Sequence, residues 1–250
     1  MSKLICMIPA RYGSRRFEGK ALADMDGKPM IQRVYESVME AKGIDWITVV
    51  TDDRRIYDTV KSFGGNAMTT RGTHNTGTDR IAEVADTLGL KNDDIVVNVQ
   101  GDQPCVHPEH IEKAVSLLKE DRLCAMSTLA YEIQNEAEVD DHNSVKVVFD
   151  KDFNAIYFSR WPIPYKRNGN GAPYYKHLGI YAYRRWFLKT YAELPEGSLE
   201  ISESLEQLRV IENGYKIKVA LTDIDSPSVD TPSDLQRVND DIARIGGCAG

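Results

Sequence analysis

Near the start of the chain Arg11, Arg15, Arg16 and Lys20 fall within ten residues, in Ile8-Pro9-Ala10-Arg11-Tyr12-Gly13-Ser14-Arg15-Arg16-Phe17-Glu18-Gly19-Lys20. Cations this dense repel one another unless an anion neutralises them. Glycine lets the backbone come close to a phosphate, and a guanidinium offers two parallel donors to its oxygens. The segment therefore reads as a phosphate-binding loop, with a solvated basic loop as the competing reading. An ordinary nucleotide P-loop is excluded, because five residues separate Gly13 from Gly19 and Ala21 follows the lysine where Ser or Thr is needed. No G-x-G-x-x-G follows the apolar run either, so the dinucleotide fingerprint is missing. A polyphosphate gripped by some other geometry remains.

Two aspartates stand where such a loop would need them. Asp102 follows the apolar run Val96-Val97-Asn98-Val99-Gln100-Gly101, and Asp230 follows Ser228-Val229 just before a helix start. Carboxylates at strand ends hold Mg²⁺ against phosphates, since that ion takes only one or two protein oxygens. Taken alone, Asp230 also fits a helix cap. Asp52 and Asp53 are rival acids, and Asp53 reads as a charge at a helix N-terminus. The five histidines form no His-x-x-x-His pair, which argues against a zinc hydrolase. His177, before the aromatic run Leu178-Gly179-Ile180-Tyr181, reads first as a strand-edge histidine. Thr76-Gly77-Thr78-Asp79-Arg80 reads as a turn entering a helix capped by Thr78. No Ser/His/Asp or Cys/His nucleophile signature is present.

These residues must be positioned by an α/β frame. Leu4–Ala10, Trp46–Thr51 and Ile95–Val99 are short apolar runs of the kind buried parallel strands show. Between them Met30, Ile31, Val34, Tyr35 and Val38 fall on one helical face, as do Ile56, Tyr57, Val60 and Phe63, and Ile81, Ala82, Ala85 and Leu88. Strands alternating with such helices predict a doubly wound, mostly parallel sheet. The second half is more mixed: strands over 126–133, 145–149, 155–158, 179–183 and 215–221, and a helix marked by Leu205, Leu208 and Ile211. A last helix starts at Thr231, with Pro232 at its first position and Asp234 three residues after the cap. Residues 166–173 read as a mobile loop. With no clear linker, residues 1–250 are expected to form a single domain.

Composition narrows the class. The 250 residues carry a net charge of -7, with 42% hydrophobic and 28% charged residues, a soluble globular balance that argues against a duplex nucleic-acid partner. The longest early apolar run has six residues, Leu4–Pro9. A signal peptide needs more, and a membrane span about 20, so a cytoplasmic protein is expected. Four cysteines are too sparse for a disulfide framework and lack metal-ligand spacing.

Taken together, the opening run Ile8–Ser14 with Arg16, Gly19 and Lys20 closely resembles the cytidylyltransferases that make CMP-Kdo. Further matches follow in order: Gly77-Thr78-Asp79-Arg80, Val97–Asp102, Val145–Val148, Tyr157–Arg160, Lys176–Tyr181, Ser204–Arg209 and Val229–Pro232. The resemblance implies a nucleotide-diphospho-sugar transferase-like fold, a homodimer, and transfer of CMP from CTP to a 2-keto-3-deoxy sugar acid with Mg²⁺ as cofactor. Its product serves lipopolysaccharide or capsule synthesis. Carried over by residue, Arg11, Ser14, Arg16 and Lys20 hold the triphosphate, and Ala10, Arg71, Thr76 and Gly77 contact cytosine or ribose. Asp102 and Asp230 ligate the metal, in a two-metal arrangement, and Lys20, Asp102 and Asp230 form the catalytic group. Gln100, Arg160, His177, Tyr181, Glu206 and Gln207 face the sugar acid. The family usually has Leu-Pro-Gly-Lys-Pro where this chain has Phe17-Glu18-Gly19-Lys20-Ala21; the missing prolines predict a looser loop and Glu18 adds a negative charge to it. The 8-amino-Kdo and capsule branches resemble the second half equally, and an inactive binding protein on the same scaffold is the reading of a different class.

Overall fold

The computed structural model describes residues 2–14, 16–71, 74, 76–167 and 171–245. The chain runs through β1 (Leu4–Pro9), a 3-10 turn (Lys20–Leu22), a small hairpin of β2 (Asp24–Met25) and β3 (Lys28–Pro29), α1 (Met30–Met39), β4 (Trp46–Thr51), α2 (Arg54–Ser62), β5 (Ala67–Thr69), α3 (Gly77–Thr87), β6 (Ile95–Asn98) and α4 (Pro108–Glu120). It continues with β7 (Met126–Glu132), α5 (Ala137–Asp140), β8 (Lys146–Phe149), β9 (Ala155–Ser159), β10 (Tyr175–Arg184), α6 (Arg185–Glu193), α7 (Ser198–Glu203), α8 (Gln207–Glu212), β11 (Ile217–Thr222) and α9 (Pro232–Ile245).

The main sheet has the order β11-β7-β10-β6-β1-β4-β5, with β8 paired to β10 and β9 to β8. The first-half strands are parallel, β6 to β1, β1 to β4 and β4 to β5. β10 enters antiparallel between β6 and β7, and this makes the second half mixed, as expected. Because side chains alternate along a strand, β1 is apolar on both faces. Leu4, Cys6 and Ile8 pack with Ile31 and Val34 of α1, Ile56 and Val60 of α2, and Ile111, Ala114 and Leu118 of α4. Ile5 and Met7 pack on the other face with Ile81 and Ala85 of α3 and Phe187, Leu188 and Tyr191 of α6. Helices on both faces thus leave the carboxyl ends of the strands as the open edge, where such sheets bind ligands.

Four helices lie outside the expected set: α4, α5, α6 and α7. α4 carries readable signals, since His107 caps it, Pro108 stands at its first position, and Ile111, Ala114, Val115 and Leu118 are buried on one face. The helix over the Thr76–Arg80 turn is capped by Thr76, which corrects the expected cap at Thr78. Thr76 Oγ1 accepts from the Asp79 N–H at 3.1 Å while the Asp79 carboxylate accepts from the Thr76 N–H at 3.2 Å, and this reciprocal pair leaves Thr78 free to point inward. The expected cap at Thr231 is present, and Asp53, expected as a charge at a helix N-terminus, caps α2. Residues 168–170 of the expected mobile loop lie outside the described residues. Among the described residues, no helix is long and apolar enough to cross a membrane.

α7 and α8 meet at Ser204, which takes a left-handed conformation with φ 53°. Their arrangement is held by a buried pair in which Arg209 Nε and Nη2 each donate to Glu200 at 2.7 Å. Breaking one side of such a pair leaves a buried charge without a partner. Glu200→Ala is expected to lower stability by about 3–5 kcal/mol. Urea unfolding measures this, and a loss below about 1 kcal/mol would show that the pair does not brace the two helices.

Candidate active site

The basic loop is closed on itself at Tyr12, whose carbonyl accepts from the Ser14 N–H at 3.0 Å and the Gly19 N–H at 2.9 Å. Gly19 has φ 69°, and a Cβ there would stand 3.0 Å from the Tyr12 ring, so both conformation and space require glycine. The Arg55 guanidinium covers the Tyr12 ring at 3.2 Å from its centroid, and Arg55 in turn donates twice to Asp53, the cap of α2. Local structure therefore delivers Lys20 to one place. Its Nζ donates to Asp102 Oδ2 at 2.6 Å and to Asp230 Oδ1 at 3.1 Å.

Asp102 reaches that place because the chain passes very close to β1. A Cβ on Gly101 would stand 2.9 Å from the Pro9 carbonyl oxygen, so residue 101 must be glycine for the strand end to lie there. Asp230 is brought in by the Val229 N–H, which donates to the Asp102 carbonyl at 2.9 Å, and by the Thr231 cap that follows it. The side chain of Asp230 makes no cap; it pairs with Lys20 and with Arg16 Nη2 at 2.9 Å. Arg16 also donates to Asn143 Oδ1 at 3.1 Å, so it crosses from the loop to the second half. Two carboxylates thus share one cation, a setting that also suits a hard divalent ion taking two protein oxygens. Among the described residues, no cluster of three or more His, Cys, Asp or Glu forms an all-protein cage.

Two cavities open at this point. The first is walled by Ala10, Arg11, Lys20, Thr76 and Gly77 together with His74 and Arg80. The second, of about 750 Å³, contains Arg16, Asp230, Arg160, His177, Tyr181 and Gln207. Gln100, Asp102 and Glu206 line both. Of the residues expected at the triphosphate, Arg11 and Lys20 line the first cavity and Arg16 the second, where it joins Arg160, His177, Tyr181 and Gln207 of the expected acid side; the two chambers adjoin at Gln100, Asp102 and Glu206. Ser14 and Arg71 line neither cavity; the Arg71 N–H donates to Glu83 Oε1 at 3.3 Å.

A bulge builds the wall of the larger cavity. The register of β10 against β7 shifts between His177 and Tyr181, at Gly179 with φ 65°. Four residues of regular strand span about 13 Å, yet the His177 and Tyr181 rings lie 5.2 Å apart. Burial pushes the His177 ring down to about 3, so it is neutral, and its Nε2 lies 2.9 Å from Thr128 Oγ1. Burial likewise drives the Tyr181 phenol well up and raises the Glu206 carboxyl, which the Thr78 hydroxyl partly offsets. Arg160 is fixed by Glu203: its N–H donates to Glu203 Oε2 at 2.9 Å and its Nε to the Glu203 carbonyl at 2.7 Å. Its Nη1 and Nη2 each donate to one further carbonyl, of His142 and Ser204, so two of its five N–H groups stay free for a ligand.

Several wall residues escape sequence reasoning. Arg80 is buried and donates to Asp52 Oδ2 at 2.7 Å, and this hydrogen bond holds the Asp52 carboxyl below its usual range. Lys176 stands between Glu138 at 2.6 Å and Asp225 at 2.8 Å. Their partners lie 28, 38 and 49 residues away, beyond any local spacing signal.

Comparison with known proteins agrees with the resemblance. A family described as Cytidylyltransferase matches residues 5–217. A 3-deoxy-manno-octulosonate cytidylyltransferase of Syntrophus aciditrophicus is 55% identical over 96% of this chain and 97% of its own. An 8-amino-3,8-dideoxy-manno-octulosonate cytidylyltransferase of Shewanella sediminis is 54% identical over 92% and 94%. A solved CMP:2-keto-3-deoxy-manno-octonic acid synthetase in complex with CTP superposes with a TM-score of 0.92 at 44% identity, covering 97% of this chain and 99% of that one.

The His177 ring is expected to stay neutral over the range in which a free histidine titrates. Its ring proton shifts, read by NMR, should be flat between about pH 8 and pH 5, whereas a free imidazole changes charge near about 6.5. A midpoint near that free value would show that the ring is open to water and that the bulge does not bury it.

Proposed function

The chain belongs to the cytidylyltransferase family, and from that premise we propose that it transfers CMP from CTP to the anomeric hydroxyl of 3-deoxy-manno-octulosonate, releasing pyrophosphate. The observation that carries this reading is the shared wall: Gln100, Asp102 and Glu206 border both cavities, so an anion on the basic loop and a hydroxylated acid in the larger cavity meet at one point. In the reaction the anomeric oxygen attacks the α-phosphorus and forms the new P–O bond. The bond from that phosphorus to the bridging oxygen breaks, pyrophosphate leaves with the electron pair, and the hydroxyl proton passes to solvent.

Such transfers need positioning and charge neutralisation rather than a covalent nucleophile. Arg11, Arg16 and Lys20, with the backbone around Gly13 and Ser14, are the groups to hold the triphosphate; Ala10, Thr76 and Gly77, which line the first cavity, would border the nucleoside, with Arg71 outside that lining. Asp102 and Asp230 would hold Mg²⁺, and their present sharing of the Lys20 ammonium supports a cation between them. When bound, that ion offsets charge on the phosphate oxygens. Release of Lys20 from the carboxylates frees its ammonium for the leaving pyrophosphate. On the acid side Arg160 has donors left for a carboxylate, neutral His177 and Gln100 can donate to it or to a ring oxygen, and Glu206 and Gln207 can accept from hydroxyls.

The likeness to an 8-amino-3,8-dideoxy-manno-octulosonate enzyme supports a second reading that changes the acid and keeps the mechanism. Ile156, Trp161, Tyr165 and Ile201 are exposed apolar side chains of the second half, which supports a homodimer. A need for CTP supports a cytoplasmic enzyme, with its product feeding lipopolysaccharide or capsule assembly.

Pyrophosphate release tests the reading: CTP with 3-deoxy-manno-octulosonate should outpace the 8-amino acid and every other nucleoside triphosphate. Asp102→Asn and Asp230→Asn should each lower kcat by about a hundred- to thousand-fold at saturating Mg²⁺ with the melting temperature nearly unchanged. Near wild-type turnover in either variant would contradict the assignment.

A further inference from the structure

Thr78, the second residue of α3, is 3% exposed and its Oγ1 donates to Glu206 Oε2 at 3.0 Å, across 128 residues of chain. The bond joins the helix whose N-terminal turn borders the smaller cavity to the N-cap residue of α8, which borders both. Glu206 spends its side chain on no cap. Among the described residues no other hydrogen bond reaches its carboxylate.

The surroundings make that single donor decisive. Asp79 on α3 and Glu200 on α7 repel the Glu206 charge, Arg209 on α8 attracts it, and the phenols of Tyr181 and Tyr183 on β10 and Tyr191 on α6 complete the enclosure. Arg209 is itself committed to Glu200 through two bonds. The Thr78 hydroxyl thus has Glu206 as its hydrogen-bond partner, and the Tyr183 phenol, raised by burial, stands beside them.

We propose that Thr78 is a positioning residue for the acid substrate: its hydroxyl holds one oxygen of Glu206 and keeps the other as the acceptor for a hydroxyl of the bound 2-keto sugar acid. This role rests on the functional reading above. It separates Thr78 from the nucleotide contacts that its neighbours Thr76 and Gly77 make, although all three open the same helix. A donor to a buried carboxylate also favours its ionised form. Loss of the hydroxyl raises the Glu206 carboxyl further, and the acid limb of the kcat/KM profile for the sugar acid then moves to higher pH.

Thr78→Val keeps the shape and branching and removes the donor, Thr78→Ala removes it without filling the space, and Thr78→Ser restores it. Val and Ala are expected to raise the KM for 3-deoxy-manno-octulosonate about ten-fold, the order expected for a bond to a charged group. They should also shift the acid limb upward and leave the CTP Kd from titration calorimetry within about two-fold. Ser should return all three toward wild type, and the Ala and Ser pair carries the test if Val does not fold. An active wild type whose Val or Ala variants keep its sugar-acid KM and pH profile, or lose CTP affinity to the same degree, overturns the role of Thr78. A wild type that releases no pyrophosphate from this pair of substrates overturns the functional reading and the role that depends on it.

Discussion

The structure turns on one ammonium group held between two carboxylates. Lys20, Asp102 and Asp230 come from segments 82 and 210 residues apart on the lysine's side, and each is placed by a different local device. Gly19 and the Arg55-covered Tyr12 ring set the loop, Gly101 lets the strand end approach Pro9, and the Thr231 cap starts α9 so that Asp230 is left free of capping. Remove the ammonium and the two carboxylates lose their common counter-charge, with Asp230 left to Arg16 alone. The partial enclosure of the cluster strengthens the interaction relative to open water.

From this cluster the two chambers acquire different characters. The loop side presents cations and backbone from the parallel half of the sheet, the region expected to face an anion. The other side is built by the inserted antiparallel strand β10 and the α7–α8 turn, and its wall sets charges of both signs, Arg16, Arg160, Lys176, Glu138 and Asp225, beside hydrogen-bonding groups. Burial lowers the His177 ring, Arg160 gives three of its donors to carbonyls, and Thr78 donates to Glu206. Mixed topology in the second half thus sets a polar wall against the basic loop.

Much of this frame is legible in the sequence because it rests on local rules. Buried parallel strands leave continuous apolar runs, which place β1, β4 and β6 within a residue of their observed ends. The Thr231-Pro232 start of α9 and the Asp53 cap are short-range chemistry, and so is the basic loop. Other features depend on partners far along the chain. Thr78 and Thr76 are equally good caps by type; the reciprocal pair with Asp79 selects Thr76, whereas the inward bond of Thr78 goes to Glu206, 128 residues away. Lys176, Arg80 and Glu203 act through ion pairs or hydrogen bonds to distant segments, so no periodicity marks them. The bulge at Gly179 shows in the sequence as a glycine within an aromatic run, but its effect on His177 and Tyr181 follows from the register with β7.

The central claim is that the Lys20 cluster faces the triphosphate and must open when nucleotide and metal arrive. A crystal structure of the complex with CTP and Mg²⁺ tests it most directly. The account predicts Lys20 Nζ bonded to phosphate oxygens, its contacts with Asp102 and Asp230 broken, and both carboxylates turned to the metal beside the α-phosphate. A complex in which the Lys20–Asp102 pair stays closed while the nucleotide lies elsewhere would contradict it.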